Sequence, residues 1–107
     1  PNVTFEKFLD DATRSVCDRV VKSNGGRGVL VVDALPGDTV VTAPDRVDTN
    51  LRTLLLRFHG HAVAPGGAAL ERWRWLFQTG ARVGGSPLEG WRAVCIALLE
   101  HPDFYTY

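Results

Sequence analysis

Apolar residues recur at three- and four-residue steps through the first fifth of the chain. Phe5, Phe8, Leu9, Ala12, Val16 and Val20 form one stripe, with Cys17 and Val21 beside it. That period predicts an amphipathic helix, and Asp10, Asp11, Arg14, Asp18 and Lys22 fall largely on its other side. Asn2 or Thr4 is suited to cap its start, and Asn24-Gly25 to end it. The next stretch, GVLVVDALPGDTVVTAP, changes period. Val29 to Val32 and Val40 to Thr42 are two β-branched runs separated by the turn signal Pro36-Gly37. They predict a small β-hairpin that must lean on helices, because two strands alone are marginal.

A second helix is expected from about Asp48 to Phe58. Its stripe is Leu51, Leu54, Leu55 and Phe58, and Gly60 is its stop. After a Pro65-Gly66-Gly67 loop, a third helix is expected from about Ala68 to Thr79, ended by Gly80. Ala69, Leu70, Trp73, Leu76 and Phe77 would face inward. The fourth helix carries the sharpest start signal: Ser86 as N-cap, Pro87 at the first helical position and Glu89 as capping-box partner. Its body, Ala93 to Leu99, is apolar for seven residues, as expected of a helix buried from several sides. Pro102 ends it, and Asp103 is placed to cap a final turn. The fold class predicted is mainly α: a four-helix bundle-like domain with a small β-hairpin between helices 1 and 2.

Length and composition add bounds. The 107 residues make one domain's worth of chain. Pro1 rather than Met opens it, which leaves a processed chain, a fragment or part of something longer as readings. Twelve basic residues balance twelve acidic ones, so no global field favours nucleic acid or an anionic membrane. No run approaches the roughly 20 apolar residues of a membrane span. Cys17 and Cys95 stand 78 positions apart, and two readings are open: a bridge in an exported protein, two buried thiols in a cytosolic one.

Few residues along the chain are chemical candidates. Ser23 to Gly28, SNGGRG, has the wrong strand–helix order for a phosphate loop. Asp33, Asp38, Asp45 and Asp48 lack calcium-loop spacing and read as turn and cap residues. His59, His61 and His101 are three imidazoles that a metal would accept. Against that, His59 and His61 sit just past a helix end and point apart unless the loop turns sharply. No nucleophile with an evident base is present, so the sequence leans away from an enzyme and names no catalytic residue. Trp73 and Trp75 differ by about 200° around a helix. Trp73 aligns with the core, whereas Trp75 aligns with Glu71, Gln78 and Arg82 and is a candidate contact anchor. The terminal Phe104, Tyr105 and Tyr107 are further interaction candidates, with Phe104 expected to fold back onto the bundle.

Four pieces carry a resemblance: NLRTLLLRFHGHAVAPG, LERWRWLFQTG, GWRAVCIALLEHPDFYTY and the Cys-bearing first helix. Together they resemble the C-terminal regions of large exported bacterial proteins that also carry c-type cytochrome modules, mostly domains of unknown function. The most distinctive part runs through Trp91, Val94, Cys95, Ala97, Leu98, His101, Pro102, Asp103, Phe104, Tyr105 and Tyr107. The resemblance implies a periplasmic or otherwise extracytoplasmic home, a Cys17–Cys95 bridge, and partners among the protein subunits of a larger redox or membrane-associated complex. The chain departs from such proteins in lacking Cys-x-x-Cys-His, so no haem c is expected on it, and no other cofactor. The expected role is that of a non-enzymatic structural or interaction subunit. The alternatives are a small ligand- or metal-binding domain using His59, His61 and His101, or an enzyme whose site is assembled from distant residues.

Overall fold

The computed structural model describes residues 3–105, with the side chain of Tyr105 outside that description. Tyr107, one of the interaction candidates, also lies outside the described residues, as does Asn2. The elements in order are α1 (Val3–Lys22), a 3-10 turn (Asn24–Gly26), α2 (Pro44–His59), α3 (Ala68–Gly84), α4 (Pro87–Glu100) and the single-turn α5 (Pro102–Tyr105). No helix among the described residues is long and apolar enough to cross a membrane.

The apolar body of α4 takes the central place. It packs on α1, α2, α3 and α5, and Trp91, Val94, Cys95 and Leu98 are buried along it. Its closest neighbour is α3, and two glycines permit the approach. A Cβ on Gly90 would lie 2.6 Å from the Phe77 carbonyl oxygen, and one on Gly80 would lie 2.8 Å from the Ala93 Cβ. Gly80 is therefore a packing residue inside α3 rather than its stop. The helix continues four residues further and ends at Gly85, whose φ of 85° is the left-handed C-cap conformation. The Phe77 and Trp91 rings, 4.2 Å apart between centroids, fill the interface beside Gly90.

The first helix forms as its period predicts, but its buried line is Thr13, Cys17 and Val21. Phe8 at the N-terminal end is largely exposed. The reason is length: 20 residues of α1 outrun the 14 of α4 by about two turns, so the first turns overhang the core. A Cys17–Cys95 disulfide, with Cα atoms 5.9 Å apart, fastens α1 to α4.

The expected hairpin is absent: no strand is present among the described residues, and one isolated bridge joins Arg27 to Val31. The physical reason is Asn50, fully buried in α2. Its side-chain oxygen accepts the backbone N–H groups of Val32, Asp33 and Ala34 at 2.8, 2.8 and 3.1 Å. Its amide nitrogen donates to the Leu30 carbonyl at 2.7 Å. The β-branched run thus satisfies its backbone against one side chain instead of a second strand. Leu30, Val31 and Ala34 then drop into the core. Downstream, Asp38 is buried and accepts the Leu35 N–H at 2.8 Å, while both its oxygens receive the Arg46 guanidinium at 2.7 and 2.9 Å. That guanidinium, aided by the Leu35 N–H, holds the Asp38 carboxyl down at about 2.

Two helix starts also differ from expectation. α2 begins at Pro44, four residues earlier than the sequence suggests, because Ala43-Pro44 supplies the N-cap and a proline at N1. At α4, Ser86 and Pro87 occupy the expected positions, but the Ser86 side chain makes no cap hydrogen bond. Its carbonyl takes the Glu89 N–H instead, at 3.1 Å, and the Glu89 carboxylate lies 3.7 Å from Arg92. The four aspartates read as turn and cap residues include two in ion pairs, Asp38 with Arg46 and Asp48 with Arg74. Asp33 accepts a hydrogen bond from the Thr53 hydroxyl.

Candidate functional site: a histidine corner and the groove beside it

The end of α2 and the junction of α4 with α5 lie side by side. α2 stops at His59 because Gly60 adopts the left-handed conformation, φ 72°, and its N–H returns to the last carbonyls of the helix. This is the sharp turn that His59 and His61 need to face the same way. At the other segment, Pro102 stops α4 and leaves His101 extended, with Asp103 two residues on in the final turn.

The three histidines expected from sequence meet here, together with Asp103. The His59 and His101 rings are 4.8 Å apart between centroids. His59 Nε2 lies 2.9 Å from the Leu98 carbonyl oxygen. His61 Nε2 is 3.0 Å from Asp103 Oδ2, and His101 Nδ1 is 3.7 Å from the same oxygen. The Asp103 N–H donates to His101 Nδ1 at 3.0 Å. His59 is half-buried, whereas His61, His101 and Asp103 are exposed. They border an open cleft of about 500 Å³ that also includes Leu55, Val63 and Trp73. Sequence reasoning placed Asp103 only as a cap; the signal that marks it is His-x-Asp directly after a helix stop.

Trp73 links this corner to a second feature. Its ring stands edge-on to His59 at 5.7 Å and tilted to His101 at 6.4 Å. Behind it runs a mostly apolar groove of about 520 Å³ between α3 and α4, lined by Arg72, Trp73, Trp75, Leu76, Ala97 and His101. Trp75 is 63% exposed on its rim. Arg72, also exposed, has no carboxylate partner among the described residues. The two tryptophans therefore divide as the helical period requires, one toward the core and one outward.

Phe104 folds back as expected. Its ring centroid is 6.3 Å from that of Phe58, although 43% of the residue stays exposed. The side chain of Tyr105 and the whole of Tyr107, the other expected contact residues of the tail, lie outside the described residues. The corner thus gathers His59, His61, His101 and Asp103, while Trp75 stands apart on the groove rim. No protein family, no curated protein and no solved structure matches the chain.

Proposed function

We propose that this chain is a non-enzymatic, extracytoplasmic interaction module that serves a larger redox or membrane-associated assembly as an accessory subunit. The observation that carries the reading is Trp75, largely exposed beside an apolar groove on the closely packed helices α3 and α4. An exposed Trp on a helix loses little conformational freedom on binding and buries a large apolar area, which makes it a strong anchor. Arg72, on the same groove and unpaired among the described residues, favours a partner segment that places a carboxylate next to an apolar side chain.

The disulfide supports an oxidising compartment, since such bridges persist outside the reducing cytosol. The sequence has no Cys-x-x-Cys-His, so on this reading any haem c would belong to another chain or module. Purification of the native complex with wild-type and Trp75→Ala chains tests the reading. The variant is expected to keep its melting temperature and lose association, with affinity falling about 30-fold for a 2 kcal/mol anchor. Undiminished association of Trp75→Ala would remove the groove as the contact surface.

A further inference from the structure

The groove draws on the histidine corner only through His101 and leaves His59, His61 and Asp103 without a role. We propose that His59, His101 and Asp103 form a binding site for one borderline divalent transition-metal ion, zinc foremost, with His61 as the outer partner that orients the Asp103 carboxylate.

Convergence is the first argument. One ligand atom from each of His59, His101 and Asp103 lies within 4.8 Å of the others, although His59 is some forty residues away in sequence. Protonation is the second. A carbonyl oxygen only accepts, so His59 Nε2 carries the proton that points at Leu98. In the neutral ring His59 Nδ1 then presents a lone pair. Ligating histidines are held in this way, the second ring nitrogen donating to a backbone carbonyl. His101 Nδ1 accepts the Asp103 N–H, so it too is unprotonated.

The third argument is electrostatic. His101 Nδ1 and Asp103 Oδ2 are both acceptors, and they sit 3.7 Å apart. A cation placed between two such acceptors would be attracted by both. For bond lengths of about 2.1 Å, tetrahedral geometry sets ligand atoms roughly 3.4 Å apart. Small side-chain rotations of the exposed His101 and Asp103 bring them to that spacing, at the expense of the Asp103 N–H bond. His61 Nε2, 3.0 Å from the same carboxylate oxygen, plays the supporting part that outer-shell groups play at zinc centres.

Donor chemistry selects the ion. Two imidazoles and one carboxylate suit Zn²⁺, Co²⁺, Ni²⁺ or Cu²⁺. A single carboxylate is too few for Ca²⁺, which takes six to eight oxygens. No thiolate competes, because both cysteines are in the disulfide. The open cleft gives an ion a path in from solvent.

The test is calorimetric titration of the purified, tag-free chain with Zn²⁺, together with visible absorption after loading with Co²⁺. One ion per chain and the intense visible bands of tetrahedral Co²⁺ are expected. Asp103→Asn and His101→Ala alter exposed side chains, so far-UV circular dichroism should match wild type. Each should weaken Zn²⁺ binding by at least about tenfold, the range seen when site partners are lost, and His61→Ala by less than either. No stoichiometric uptake by the wild-type chain overturns the proposal. So does a loss smaller than tenfold in either ligand variant, because any metal would then sit elsewhere.

Discussion

One side chain, Asn50, decides the conformation of the longest irregular stretch. Buried and surrounded by apolar residues, it makes four hydrogen bonds to the backbone of residues 30–34. Asn50→Leu keeps the branching of the side chain but strands three N–H groups and one carbonyl. Because buried unsatisfied groups cost about 1–3 kcal/mol each, destabilisation of at least about 3 kcal/mol is expected. Urea denaturation reads this as a lower midpoint, and amide exchange at residues 32–34 should accelerate more than in α3. Little of this was legible in sequence. An Asn between helical apolar residues looks like any polar position, and Val29 to Val32 looks like a strand because β-branching is its dominant local signal. The histidines were legible as candidates but not as neighbours. Their convergence depends on the left-handed Gly60, a backbone fact that residue type alone leaves open.

The helices were the most legible elements, since periodicity marks the face that a helix buries. Their ends were less so. Gly60 and Gly80 look alike in sequence, yet one reverses the chain and the other is a contact surface. The difference arises from the partner helix. Where α3 and α4 approach closely, glycine is kept for its missing side chain rather than for its torsions. Gly90→Ala distinguishes the two roles. Helix propensity alone predicts a gain of up to about 1 kcal/mol. A Cβ 2.6 Å from the Phe77 carbonyl oxygen must instead push the helices apart. Overpacking of this kind costs about 1–3 kcal/mol, so a net loss of stability is expected by thermal or urea unfolding. A net gain in Gly90→Ala would mean that α3 and α4 yield more readily than close packing implies.

Across the whole molecule, α4 is the hub, and α1 packs mainly on α4 and on the 3-10 turn that follows α1. The resemblance implied the bridge between them; residue spacing alone left free thiols equally open. A loop of 78 residues closed by a disulfide loses unfolded-state entropy worth about 4.5 kcal/mol. Replacing both cysteines by Ala, or reducing the wild-type chain, is expected to lower stability by several kcal/mol. Proteolysis should then cut first within α1, whose N-terminal turns have little core beneath them. An unchanged melting temperature after verified reduction would contradict this account. The same bridge also has a mechanical consequence. Tension applied before Cys17 and beyond Cys95 crosses from α1 to α4 through a covalent bond, by-passing everything between them. The residues between the two cysteines lie off that load path. At about 3.5 Å per residue, the 78 positions the bridge encloses withhold roughly 270 Å of extension. α2, α3 and the Asn50-bound segment would stay slack, enclosed in a loop that force on its two tails does not open.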